Sequence, residues 1–392
     1  MSSSASGAWL RLTGLAAAAA TLVAVVSGAA GFDHRQLSAI AVPPLVALVL
    51  AGRFARRRLL APSLVALVLF GTAALVTGEV AHVALASLAF AASAVACAQT
   101  FRGEEIAAGA WRDYVTLTKP RIMTLLLLTG ACGMVVGARG LPSLGSFVAA
   151  MTGLALACGG ASALNHVLDA DIDRLMGKRT EKRPVAAGRI EPGRALEFGL
   201  TLSAFSFVLL ASTVNVLTAA LALAGNLFYV LVYTRLLKRS TPQNIVIGGA
   251  AGAVPPVVGW AAATGNLALP ALFLFLIVFF WTPPHFWALA LLIKDAYAEA
   301  RVPMLPVVKG ERETLRQIVL YTLVLIAMTL VPFAWGTFGV LYAVAALVLG
   351  LVFLALALRL RREPSRARAA LLFHYSLLYL ALLFVAMAID VV

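Results

Sequence analysis

Apolar residues gather along the chain in runs of about 20, each closed by a short polar or glycine-rich stretch. A run of that length crosses the hydrocarbon core of a bilayer as an α-helix, which satisfies its own backbone hydrogen bonds. Four runs occupy about 9–30, 38–52, 59–77 and 80–99. Nine more occupy about 122–138, 143–164, 195–212, 215–234, 244–263, 268–292, 317–337, 339–358 and 371–390. The pattern predicts an all-α polytopic membrane protein, with an N-terminal membrane extension of about four helices over 1–108 and a nine-helix domain over 109–392. The first run, Trp9 to Ala30, has Arg11 near its start and small residues after it, as a signal peptide does; its length favours an uncleaved span. Residues 101–119, with Glu104, Glu105, Arg112 and Asp113, read as a linker and an interfacial helix.

Composition agrees, at 62% apolar and 12% charged residues. The net charge of +14 changes the picture only once its placement is seen. Basic residues fall in the connections 53–58, 102–121, 174–194, 235–239, 294–316 and 359–368, every second one along the chain. That is topogenic charge facing the cytoplasm and anionic lipid, not a nucleic-acid surface. It predicts the N-terminus inside, the C-terminus outside, and these six connections together on the cytoplasmic face. Cys97, Cys132 and Cys158 lie in apolar runs without a CxxC pair and read as packing residues.

Four polar clusters stand out against this background. The first is NHVLDADIDRLMGKRTEKRP, Asn165 to Pro184. Asn165, Asp169 and Asp173 are spaced i, i+4, i+8, so on a helix they share one face with a drift of about 40° per step. Three oxygen-bearing side chains there suit Mg²⁺, which keeps substrate phosphates in its shell. Arg174, Lys178, Arg179, Lys182 and Arg183 follow. They read either as anion binders or as topogenic charge, and the residues alone leave both open. The second cluster is Tyr233 to Thr241, with Arg235, Lys238 and Arg239, then the small-residue run 248–265. Pro255-Pro256 within that run predicts a break in the helix. The third is Trp281-Thr282-Pro283-Pro284-His285-Phe286-Trp287. His285 there is a packing residue, a neighbour of a flat ligand or an iron ligand. The fourth is Lys294 to Pro306, where Asp295 and Glu299 share a helix face as a second metal site or as a solvated helix end.

Taken together, the clusters resemble the UbiA-type intramembrane aromatic prenyltransferases. Within them, the order NxxxDxDID, RTxxRP, YTxxLKRxTxxNIVIGGxAGAxPPxxGW, WTPPHFWALAL and VPMLPVV is similar to that of the heme O synthase (protoheme farnesyltransferase) subfamily, over about 112–392. The resemblance implies a nine-helix intramembrane prenyltransferase bundle around a lipid-open cavity. It implies transfer of a farnesyl group from farnesyl diphosphate to a vinyl group of heme b, giving heme o. Mg²⁺ is the implied cofactor, with Asn165, Asp169 and Asp173 as the catalytic metal–diphosphate motif and Asp295 and Glu299 as the second. Lys119, Arg121, Arg179, Arg183 and Lys238 fall at its diphosphate-binding positions. His285, Trp281, Phe286, Trp287, Tyr229 and Tyr233 are expected to line the heme and prenyl pocket. The implied setting is a bacterial plasma membrane with cytoplasmic active-site loops, and a heme A synthase as partner. The chain departs from the subfamily pattern at DIDRLMGKRT, which holds one extra residue, at Ala296, where Asp is usual, and at Arg301, where Gly is usual. Two other readings fit parts of the pattern: transfer to a quinone precursor or chlorophyllide, and a transporter whose carboxylates bind a coupling ion. The polar residues cluster at one membrane face, not at the midplane, which weighs against transport.

Overall fold

The computed structural model describes residues 12–22, 44–49, 63, 66–67, 89, 93, 111–177 and 180–392. Among them, nine helices are long and apolar enough to cross a membrane. They are α1 (Pro120–Ala138), α2 (Leu144–Leu168), α3 (Pro192–Thr213), α4 (Val216–Ser240), α5 (Asn244–Thr264), α6 (Leu269–Leu292), α7 (Gly310–Ala334), α8 (Val340–Arg362) and α9 (Arg366–Asp390). The expected N-terminal spans lie largely outside the described residues. Leu12–Leu22 is helical, and Thr21 and Ser93 share a hydrogen bond of 2.7 Å.

Polar caps set the helix starts. Ser143 accepts from the Ser146 amide at α2, Asn215 from the Thr218 amide at α4 and Ser365 from the Arg368 amide at α9. α7 begins before its apolar run does. Its first turn, with Glu311 and Glu313, is held by a Gln317–Glu313 bond of 2.7 Å and by the Lys294–Glu311 ion pair.

Small residues bring the first five helices together, because lipid supplies no hydrophobic drive and close packing must do so. A Cβ on Gly259 of α5 would lie 1.9 Å from the carbonyl oxygen of Gly130 on α1, and one on Gly133 would lie 2.2 Å from that of Pro256. Gly153 sits against Leu210 and Gly160 against Gly199, clamping α2 to α3, where Ser206 also donates to the Gly153 carbonyl at 2.6 Å.

The expected break at Pro255-Pro256 does not occur; α5 is a continuous helix through both. Proline already has a helical φ, and inside a membrane bundle neighbouring helices and small local adjustments re-satisfy the backbone groups it frees. α6 likewise runs unbroken through Pro283 and Pro284. The irregularity lies elsewhere. Residues Phe228–Leu237 of α4 form a π-helix, a geometry concentrated at functional sites.

Candidate active site

The site is built where α2 ends. Asp169 leaves helical geometry at φ −95° and ψ 3°, and a short helix, Ala170–Leu175, continues from it. The break keeps the row in line: the Asp169 amide still donates to the Asn165 carbonyl at 2.9 Å, and the Asp173 amide to that of Asp169 at 2.8 Å. Asn165, Asp169 and Asp173 are 3%, 0% and 1% exposed. Carboxylates buried to that degree need partners.

Three cations from three other segments supply them. Lys238, at the end of α4, donates to Asp169 Oδ2 at 2.5 Å. Lys119, just before α1, donates to Asn165 Oδ1 at 2.7 Å. Arg183 donates from Nη1 to Asp173 Oδ1 and Oδ2 at 2.7 and 2.9 Å. Asn165 Nδ2 donates to Asp169 Oδ2 at 2.8 Å and to Thr234 Oγ1 at 3.1 Å, which joins the knot to α4. The loop carrying Arg183 is pinned by Thr180, whose hydroxyl donates to the Asp173 carbonyl at 2.7 Å.

Local backbone geometry aims these groups. Lys119 adopts the left-handed region, φ 49°, and Pro120 then starts α1. On α4 the π-helix bonds residues five apart, so Tyr233 and Lys238 come onto one face, where an α-helix would turn them well apart. Tyr229 and Tyr233 stack with ring centroids 5.5 Å apart. Gly248 admits the Tyr233 ring, since a Cβ there would lie 2.2 Å from it.

The electrostatics follow the packing. Burial, and then the neighbouring Arg183, push the Lys119 ammonium down to about 7, against the pull of Asp169. Burial raises Asp173 above the usual carboxylate range, against the pull of Arg183. Asp171 points the other way. Its side chain is 63% exposed and takes two bonds of 2.7 Å from Arg239, which hold it down to about 2.

Asp169 Oδ1 is buried and has no hydrogen-bond partner among the described residues. A free carboxylate oxygen beside two further oxygen-bearing side chains fits a hard divalent cation. Asn165, Asp169 and Asp173 are the residues that would hold it. Among the described residues, no group of three His, Cys, Asp or Glu side chains stands close enough to form a metal cluster by itself.

The other expected site residues are less gathered. Arg121 is exposed in the first turn of α1, and Arg179 lies outside the described residues. Asp295 and Glu299 are exposed on the short helix Lys294–Glu299, while Tyr297 on that helix is buried. This helix follows the end of α6, and successive crossings put the ends of α2, α4 and α6 on one side, so the loop lies at the same end as the knot. Arg301 adopts φ 53°, a conformation that suits the glycine of the subfamily pattern. His285 is 6% exposed, stacked between Trp281 and Phe373 at 4.3 and 4.8 Å, with Nδ1 bonded to Ser376 Oγ at 2.6 Å. Trp281 Nε1 donates to the Ser376 carbonyl at 2.8 Å, Phe286 meets His285 edge-on, and Trp287 meets Tyr321 edge-on. This group ties α6 to α9 and, through Trp287, to α7.

Sequence reasoning did not single out Thr234, Thr180 or Arg239 as site builders. Thr234 stood inside the YTxxLK motif, yet only the fold shows that it bonds across to α2.

A sequence profile of the UbiA prenyltransferase family matches residues 126–383. A protein of Symbiobacterium thermophilum named protoheme IX farnesyltransferase is 55% identical over 282 residues, covering 71% of this chain and 94% of that one. Proteins of the same name from Thermus thermophilus and a Roseiflexus species are 52% and 53% identical, each over 71% of this chain. The match spans about half of their length, 46% and 52%. Among solved structures, one described as a digeranylgeranylglyceryl phosphate synthase superposes with a TM-score of 0.60 at 17% identity, covering 72% of this chain and 98% of that one. A UbiA homologue from Archaeoglobus fulgidus bound to DMAPP and Mg²⁺ gives 0.52 at 18%, covering 71% and 99%. At those identities the likeness is one of fold. The profile spans most of the chain and the sequence relatives are closely similar: this chain belongs to the UbiA prenyltransferase family.

Proposed function

We propose that this chain transfers a farnesyl group from farnesyl diphosphate to a vinyl group of heme b, giving heme o and diphosphate. One observation carries the reading: a buried knot of Lys119, Asn165, Asp169, Lys238, Asp173 and Arg183 at one end of an apolar bundle. Cations and carboxylates at that boundary suit a diphosphate whose chain lies in the bilayer. The relatives named protoheme IX farnesyltransferase support heme b as the acceptor.

Lys119, Lys238 and Arg183 bind and orient the diphosphate oxygens, and Arg121 and Arg179 are further cations for the same group. Mg²⁺, when bound, neutralises charge on the leaving diphosphate. The allylic C–O bond breaks and its electron pair leaves with diphosphate. Tyr229 and Tyr233 turn ring faces to the allylic cation and exclude water. The terminal vinyl carbon bonds to the farnesyl carbon. Water then adds to the remaining cation and a proton is lost, which leaves the hydroxyl of heme o. Asp295 and Glu299 are assigned to a second metal. The Lys and Arg of the connections support an orientation with these loops in the cytoplasm of a bacterium. Heme o so formed passes to a heme A synthase.

The purified full chain, reconstituted in lipid with farnesyl diphosphate and heme b, should form heme o. EDTA should stop it and added Mg²⁺ should restore it. Undiminished product in EDTA contradicts the metal assignment.

His285 keeps Nε2 for the acceptor once Nδ1 is held by Ser376. His285→Ala should raise KM for heme several-fold, about the worth of one lost contact, with KM for farnesyl diphosphate little changed. Equal effects on both substrates together with lower stability would identify a packing histidine. The first hundred residues supply no carboxylate row. A chain starting at Gly109 should therefore retain heme farnesylation; a folded but inactive product contradicts this.

A further inference from the structure

His166 follows Asn165 directly and is 2% exposed. Neither ring nitrogen has a hydrogen-bond partner among the described residues. Native proteins rarely leave a buried polar group unpaired, and the exceptions tend to mark function. The placement of this one is informative. The face of α2 that carries His166 packs on the segment leading to Lys119. A Cβ on Gly159 would lie 3.3 Å from Thr118, and Ser162, one turn before His166, donates to the Leu117 carbonyl at 2.7 Å. His166, Asp169 and Asp173 are spaced i, i+3, i+7, so the histidine stands on the same stripe as the carboxylates.

We propose that His166 is a further diphosphate-contacting residue, an N–H donor on the stripe that carries Asp169 and Asp173. The inference rests on the reading of the knot as a diphosphate site. An imidazole has an N–H to give whichever ring nitrogen carries it. A diphosphate oxygen accepts that N–H and meets the unmet donor. Asp169 Oδ1, the other unpartnered atom of the stripe, is an acceptor and suits a metal instead. The two unmet groups thus divide between the two halves of a metal–diphosphate ligand.

The test uses the full chain in lipid with Mg²⁺ and inorganic pyrophosphate, titrated calorimetrically, for wild type, His166→Leu and His166→Gln. Loss of one hydrogen bond to a charged oxygen predicts about tenfold weaker pyrophosphate binding for His166→Leu. KM for farnesyl diphosphate should rise by a like factor, with KM for heme little changed. His166→Gln, which keeps a donor, should recover most of the affinity. A packing histidine predicts the opposite, because replacing an unpaired buried polar group by an apolar one is neutral or stabilising. His166→Leu with wild-type pyrophosphate affinity and an unchanged or raised melting temperature overturns the proposal. The titration needs no heme, so it decides the role of His166 even if the wild-type chain failed to farnesylate heme.

Discussion

Asp169→Asn reduces turnover by about a thousandfold or more, while the protein still folds and inserts. The side chain is fully buried, and its two oxygens do different work. Oδ2 takes Lys238 at 2.5 Å and Asn165 at 2.8 Å, which sets the position of both. Oδ1 has no hydrogen-bond partner among the described residues and is left for a cation. The amide keeps the volume but removes the charge, and its NH₂ group turns a donor toward Lys238 or toward the metal position. Asp173→Asn should behave alike, because Arg183 grips both of its oxygens. Asp171→Asn is the control. That carboxylate is mostly exposed and pairs with Arg239, so its loss should change turnover by no more than about threefold. The check is initial-rate kinetics at saturating Mg²⁺; equal rates for wild type and Asp169→Asn contradict the assignment.

Gly259→Val removes the folded protein from the membrane. Its Cβ would sit 1.9 Å from the Gly130 carbonyl oxygen and 2.8 Å from the Met134 amide nitrogen. Both are backbone atoms inside α1, so no rotamer change relieves the clash. Overpacking that side chains can absorb costs about 1–3 kcal/mol; here a whole helix must move, against a total stability of about 5–15 kcal/mol. The displaced helix is α1, which carries Lys119 at its start, so surviving protein should also lose activity. Gly252→Ala, where a Cβ meets open space, should accumulate normally. Folded yield after size-exclusion chromatography separates the two, and equal yields would contradict the packing described.

Much of this architecture is legible in the chain, because bilayer thickness fixes helix length. The nine apolar runs from 122 to 390 correspond to α1–α9, and the ends differ mainly where polar turns continue a helix, as at Glu311 in α7 and Arg359 to Arg362 in α8. The NxxxDxxxD spacing places three oxygen-bearing groups on one face by helical geometry alone. What that spacing does not contain is the identity of their partners. Lys238 lies 69 residues from Asp169, and only the packing of α4 against α2 brings them together. The π-helix over Phe228–Leu237 has no mark in the hydrophobic pattern, since its first six residues, Phe228 to Tyr233, are apolar or aromatic on every side and show no period to shift. Proline pairs mislead in the other direction. A helix break was expected at Pro255-Pro256, but proline's φ is already helical and the packed bundle lets the helix continue.

The central claim is the product. Heme extracted from cells that lack heme o, and that express this chain, should show by mass spectrometry a species heavier than heme b by one farnesyl group and one hydroxyl. The species should be absent when the chain carries Asp169→Asn. Only heme b in the wild-type cells, with the protein present and folded in the membrane, would contradict the account.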